Sequence, residues 1–448
     1  MNDDDDVNSL PPLHRKKIQR ADIEALRGLA DLQALPNQLI NSNSESAKRA
    51  AGWKEKLIKF VGSHRNRIGK EIQNRFGDRD FAVTIRDILL QLAQIGEAGF
   101  ESNEPPDMRA LNAVLWLEKA AGSHSRTQDF LARLPTILEN RQGSWRPNAV
   151  AIPRFDVPVV ESNSPKVANK AGTGNRLPIV VLCPNHRSAN TLATLHQLRS
   201  LNIQVDHIFV RPLVSIARLK EELRFSPGFL LKRVINELIL KRFHSSSADR
   251  ENSSKFKQQN GCTWKNVTEA ADELNADLRY LTSFNEASCL HALQELKPGY
   301  GVFTGGGILS SQMLQTFQNG IVHAHPGILP QYKGMDVVLW AILEGNFKHV
   351  GSTCQLMSPK LDAGVLLSNS LIDIYQYDSL QTIRTAIGSD KIDLVCNTLR
   401  SLIDKKILPA KSPQVGGELY YLMHPKLANI AAEYARKFLE TAKSGFEN

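Results

Sequence analysis

The chain has 448 residues, a hydrophobic content of 42% and a formal net charge of +9, the make-up of a globular protein with room for two or three cored domains. No apolar run approaches the roughly 18 residues that span a bilayer, and the acidic start Asp3-Asp4-Asp5-Asp6 argues against a signal or transit peptide. Five scattered cysteines without a CxxC pair argue against a disulfide framework or structural zinc and suit a reducing cytoplasm.

Residues 1–146 form the first region. Apolar residues recur at three- and four-residue spacing within 23–30, 56–61, 85–93 and 110–117, punctuated by Pro36, Gly77, Pro105-Pro106 and Pro135. The pattern predicts an all-helical N-terminal bundle of four to six helices. Its basic residues read as a solvated helix face rather than a nucleic-acid stripe. The bundle carries no chemical motif and is a candidate surface for a protein partner or self-association.

Residues 147–176 read as an extended arm and a linker rich in Ser, Asn, Gly, Pro and Lys. Residues 177–410 then alternate strand and helix patterns. The continuous apolar run 177–183 suits a strand buried on both faces. A turn at 184–190, an amphipathic helix at 191–201 and a strand at 205–210 complete a βαβ unit of an open, mostly parallel sheet. Residues 215–264 read as an insertion, with a basic amphipathic helix at 232–242 expected to pack on the domain and a polar, mobile run at 244–259. The alternation resumes with a helix at 267–274, a strand at 278–281, a helix at 286–296 and a strand at 300–304. Residues 411–448 read as a short extended piece and a C-terminal helical extension.

The strand at 300–304 runs into Gly305-Gly306-Gly307, at the edge where open parallel sheets place ligands. Glycine lets backbone approach a planar ligand closely and leaves N–H groups to donate. GGG is neither GxGxxG nor a P-loop, so by itself it is a weak nucleotide signal. The next strand ends His323-Ala324-His325-Pro326-Gly327, and residues i and i+2 of a strand share a face, so both imidazoles can face one cleft. A further strand at 350–357 is followed by Asp362. Glycines, histidines and a carboxylate thus come from three consecutive strand ends, a proton-transfer constellation without a thiol or serine nucleophile. The bland reading of two histidines at a strand end is polar surface.

The run 301–367 resembles the catalytic half of the folate-dependent formyltransferases, which include glycinamide ribonucleotide and methionyl-tRNA formyltransferases. The resemblance rests on the glycine loop ending Ile308-Leu309, H-x-H-P-G-x-L-P with Tyr332-Lys333-Gly334, Gly351-Ser352-Thr353 and Leu361-Asp362-Ala363-Gly364. It implies a Rossmann-like formyltransferase domain over 177–410. The implied activity is transfer of a formyl group from 10-formyltetrahydrofolate to an amine. The family's triad is Asn, His and Asp; His325 matches the histidine, Asp362 the aspartate, and His323 stands at the asparagine. The resemblance further implies a donor site along Gly305, Gly306, Gly307, Ile308 and Leu309, with Ile308 and Leu309 covering a pterin face. It gives acceptor contacts to Ser188, Asn190 and Lys333, although Ser188 and Asn190 also suit a capped helix start.

An asparagine amide is a permanent donor, whereas a neutral imidazole donates from one nitrogen only. His323 is expected to fill the asparagine's donor role if its tautomer is right or if it is cationic. Two histidines and a carboxylate are also the ligand set of a 2-His-1-carboxylate metal site, and a drifted triad would suit a non-catalytic scaffold. Residues after 407 do not read as the transfer-RNA-binding barrel of the methionyl-tRNA enzymes. The acceptor is therefore expected to be a small amine, such as a sugar nucleotide, an amino-acid derivative or a natural-product precursor, rather than nucleic acid.

Overall fold

A computed structural model describes residues 22–23, 45–76, 80–92, 107–140, 176–211, 257–259, 261–405 and 417–446. The arm, most of the linker, most of the 215–264 insertion and nearly all of the segment 23–30 lie outside the described residues. The chain forms two compact units, one of Met1–Ala149, Gly334–Phe347 and Leu419–Asn448, the other of Val150–Lys333 and Lys348–Glu418.

In the first unit, helices span Glu45–His64, Ile68–Phe76, Asp80–Leu92, Met108–Ala121 and Ser125–Asn140, as the spacing predicts. Met108–Ala121 is buried along nearly its whole length. Its start is set by Asp107, whose side chain accepts from the amides of Arg109 and Ala110 at 3.0 and 3.1 Å. Pro135 does not end a helix: it lies inside Ser125–Asn140. Phe130, Leu134 and Leu138 bury one face of that helix, and such burial outweighs a single lost backbone hydrogen bond.

Two later segments complete this unit. The helix Val337–Leu343, read from the sequence as part of the α/β region, packs here against the helix Pro425–Phe446. All of its residues are buried, which suits a helix that is apolar on every face. The Trp340 indole donates to the carbonyl of Tyr421 at 3.0 Å. Buried Glu344 accepts from the Tyr420 hydroxyl at 3.1 and 3.0 Å. Among the described residues no helix is long and apolar enough to cross a membrane.

The second unit is built on a seven-stranded sheet. Its strands are β1 (Ile179–Cys183), β2 (His207–Val210), β3 (Asp277–Tyr280), β4 (Tyr300–Phe303), β5 (Gly320–His325), β7 (Gly351–Leu356) and β8 (Val365–Leu371). The order is β3-β2-β1-β4-β5-β7-β8; β6 (Tyr332–Gly334) and β9 (Glu418–Tyr420) pair separately. The strands from β1 to β5 run parallel, and at one edge β7 pairs antiparallel with both β5 and β8. This is the mostly parallel α/β sheet that the alternation predicts. The chain winds outward from β1 through β2 and β3, then returns to β4 on the other side of β1. That reversal makes a switch-point crevice at the carboxyl ends of β1 and β4.

Alternation along β5 sorts its residues onto two faces. Val322 and Ala324 join the core with Leu192, Ile392, Val395 and Leu399, so the helices Ala189–Ser200 and Leu380–Ile403 cover that face. Ile321 joins the opposite core with Phe209, Phe284, Phe303 and Leu309. His323 and His325, in phase with Ile321, share the second face.

Candidate active site

The glycine loop lies at the switch point. Gly305, Gly306 and Gly307 have φ of 125°, 122° and 106°, values that favour glycine. A Cβ on Gly306 would sit 2.7 Å from Cε2 of Phe284, so the backbone rests directly on that ring. The Arg211 guanidinium donates to the Gly306 carbonyl. Asn285 donates to the Ile308 carbonyl at 2.9 Å and accepts from the Ser310 amide at 2.8 Å. Two of the loop's carbonyls are thus already bound by protein. Ile308 is 75% exposed and can cover a ligand; Leu309 is 3% exposed and packs into the core instead. Of the two side chains expected to cover a pterin face, Ile308 is exposed and Leu309 is buried in the core.

Asn190 reaches across the same crevice, donating to the Thr304 carbonyl at 3.3 Å, while the hydroxyls of Thr191 and Thr304 are 2.7 Å apart. Ser188 is the N-cap of the helix Ala189–Ser200; its hydroxyl accepts from the Thr191 amide at 3.2 Å and is engaged in that task.

The β4–β5 register pairs Val302 with Val322, which leads Phe303 and His323 to the same end of the two strands. His323 Nδ1 is 2.9 Å from the Phe303 carbonyl. A carbonyl only accepts, so Nδ1 carries the proton. His325 Nε2 is 2.9 Å from the Tyr332 carbonyl, which likewise fixes a proton on Nε2. The other nitrogen of His325, Nδ1, faces Asp362 Oδ1 at 3.5 Å. Burial is the largest influence on His323 and pushes its pKa down to about 4; Lys391 and His325 act in the same direction, the Phe303 bond and Asp362 against it. Burial also lowers His325, while Asp362 and the Tyr332 carbonyl oppose that shift. In the neutral ring the one N–H of His323 is spent on Phe303.

Asp362 does not arrive from a parallel strand end. β7 runs antiparallel to β5, with Leu356 opposite Val322, and the 357–364 connection folds back to bring the carboxylate to His325. Asp362 has φ 47°, a left-handed conformation that aspartate tolerates better than most residues. Lys333 lies on β6 and is half-buried; burial lowers its ammonium pKa and the charge of Asp362 raises it. Lys333 thus joins the imidazole and carboxylate cluster.

Three contributors escape a motif reading. Thr353, opposite His325, donates to the Gly327 carbonyl at 2.8 Å and accepts from the Leu329 amide at 3.1 Å, pinning the turn after the histidines. Gln355, opposite His323, accepts from the Gly364 amide at 2.9 Å and points its amide at Asp362 Oδ1, 3.5 Å away. A register shift between Cys354 and Gln355 marks a bulge in the β7–β8 pair at this point. Lys391, on the helix covering the opposite face of β5, acts on both imidazoles by its charge. The available signal was alternation: Thr353 and Gln355 are in phase along β7. Among the described residues, no three His, Cys, Asp or Glu side chains converge as a metal set.

The site is thus an open α/β sheet with a glycine loop at its switch point and an imidazole pair with a carboxylate beside it. Residues 245–397 match the family described as formyl transferase. Methionyl-tRNA formyltransferase from Caldanaerobacter subterraneus is 32% identical over 128 residues, 28% of this chain and 41% of that protein. The enzyme of the same name from Trichodesmium erythraeum is 36% identical over 104 residues, 23% of this chain and 31% of that one. The chain thus spans less than half the length of these curated relatives. Among solved structures, glycinamide ribonucleotide transformylase 1 from Symbiobacterium toebii aligns over 56% of this chain and 96% of its own, at 14% identity and a TM-score of 0.35.

Proposed function

We propose that the second unit transfers a formyl group from 10-formyltetrahydrofolate to the nitrogen of a small-molecule amine. The observation that carries the reading is the cluster of His323, His325, Asp362 and Lys333 beside the glycine loop, inside the stretch that matches the formyl transferase family. The residues suit the donor. The loop's positive φ values keep its backbone clear of Cβ atoms, and Ile308 is left exposed to cover an apolar face. The folate supplies a formyl group on nitrogen, already activated for transfer to an amine.

The chain's own groups would then do the following. Gly305, Gly306 and Gly307 admit the donor close to the main chain. Asp362 and Lys333 set the charge beside His325. Thr353 and Gln355 hold the turn and the loop that carry these groups. Asn190 stands at the crevice for the acceptor.

The acceptor is assigned to small amines because the described site is a compact cluster of His323, His325 and Asp362 at the strand ends. The second reading is a transfer-RNA acceptor, which the names of the relatives favour. The test is a product assay by mass spectrometry, with 10-formyltetrahydrofolate and separate panels of amino-sugar nucleotides, amino-acid amides and methionyl-tRNA. Formylation within the first two panels supports the proposal, and formylation of methionyl-tRNA alone replaces the acceptor. No binding of a stable folate analogue at millimolar concentration, and no formylated product, sinks the reading.

A further inference from the structure

The chemistry of the two imidazoles follows from which nitrogen of each is already used. His325 has both nitrogens turned to protein: Nε2–H to the Tyr332 carbonyl at 2.9 Å, and Nδ1 toward Asp362 Oδ1 at 3.5 Å. His323 has one nitrogen used, Nδ1–H on the Phe303 carbonyl at 2.9 Å, and its ring lies against the Phe303 ring with centroids 5.3 Å apart. Among the described residues Nε2 of His323 has no hydrogen-bond partner. It is therefore the one ring nitrogen of the pair that is open, and the tautomer makes it a lone pair.

Resting on the formyl-transfer reading, we infer that His323 is the proton acceptor of the reaction through Nε2, and that His325 is a positioning residue held between Tyr332 and Asp362. An asparagine at position 323 could donate from its amide but could not accept a proton at neutral pH. The substitution therefore converts a donor position into a base. The balance closes without an oxidant or reductant. The acceptor nitrogen forms its bond to the formyl carbon and gives one proton to Nε2. The bond between the formyl carbon and the donor's nitrogen breaks with its electron pair, and that nitrogen takes up the proton that His323 received.

The surroundings favour the neutral ring. Lys391 from the helix Leu380–Ile403 and His325 from β5 disfavour a charge on His323, and only Asp362, from the 357–364 connection, favours one electrostatically. A base that stays neutral at pH 7 is ready to accept a proton, whereas a donor would have to be cationic.

Two measurements test the assignment. The first needs no ligand: long-range proton–nitrogen NMR correlations on the full chain with labelled histidines, the His323 signal identified by its loss in His323→Asn. A ring protonated at Nδ1 and bare at Nε2 at pH 7 is expected; a proton on Nε2, or a cationic ring, overturns the inference. The second uses 10-formyltetrahydrofolate with glycinamide as a generic primary amine. His323→Asn should bind a stable folate analogue within about threefold of wild type yet lose on the order of 10²–10⁴ in kcat, the range of general base catalysis. Turnover of His323→Asn within twofold of wild type overturns the base role and leaves formyl transfer standing. If wild type forms no formylated glycinamide and none of the panel amines, formyl transfer fails and the base role falls with it. The ligand-free NMR result separates that failure from a wrong tautomer.

Discussion

Gln355 and Gly364 face each other across the end of β7, the glutamine carbonyl accepting the glycine amide at 2.9 Å. That bond closes the loop that carries Asp362. It also explains the glycine, since a Cβ at position 364 would sit 1.9 Å from the Leu356 carbonyl. The site's carboxylate is thus held by a side chain that lies opposite His323 in the sheet.

Replacing Gln355 with alanine strands the Gly364 amide and frees Asp362 to move. A buried donor left unpaired costs about 1–3 kcal/mol. We expect a lower midpoint in urea unfolding and a kcat reduced by about one to two orders of magnitude, with the affinity for a folate analogue nearly unchanged. A stability loss without a change in kcat would show that the glutamine only holds the loop.

Asp362→Asn and His325→Ala each break the buried imidazole–carboxylate contact. Their rate losses should be large, at least hundredfold in kcat, and strongly non-additive in the double variant, because the two groups act as one unit. Losses that add fully in a double-mutant cycle would show that the two groups act independently.

Acid should weaken the fold through His323. Its folded pKa of about 4 lies below the ordinary 6.5, so between those values the unfolded chain binds the extra proton. The stabilisation is full above pH 6.5 and declines as the pH falls toward 4. His424 in the first unit, pushed down to about 4 chiefly by burial, acts with the same sign. Urea titrations at pH 7 and pH 5 should show His323→Asn losing less stability on acidification than wild type. An equal loss in both would remove His323 from the balance.

The cap of the helix Met108–Ala121 gives a prediction far from any chemistry. Burial works to raise the Asp107 carboxyl, but Arg109 and Lys54 together with its hydrogen bonds hold it down to about 2. Asp107→Ala should destabilise the protein by about 0.5–2 kcal/mol. Because the folded pKa lies below the ordinary carboxylate value, this contribution is present above pH 4 and disappears as the pH falls toward 2. Unchanged unfolding of Asp107→Ala at pH 7 would contradict the assignment.

Gly306→Ala probes the donor loop. Its Cβ would meet Phe284 at 2.7 Å in a backbone region with φ 122°, so the loop must shift away from the ring. Strain of this kind costs on the order of 1–3 kcal/mol. Calorimetry with a folate analogue should show at least tenfold weaker binding, and unaltered affinity would place the donor elsewhere.

The sequence by itself determined the alternation of strand and helix, the buried apolar β1, the helical bundle and the common face of His323 and His325. These follow from local periodicity: residues i and i+2 of a strand share a side in any fold that keeps the strand. Asp362 was legible through its motif, but not the route by which it returns. Only the tertiary structure decided that β7 runs antiparallel to β5, that Val337–Leu343 packs in the other unit, and that Leu309 turns inward while Ile308 stays out. Only the tertiary structure, too, set each imidazole's tautomer. Those outcomes depend on main-chain carbonyls, Phe303 for His323 and Tyr332 for His325, which residue identity does not specify and which strand pairing and a turn bring within 2.9 Å of the rings. The order of residues set which groups are available, and the fold decided which of their atoms remain free to react.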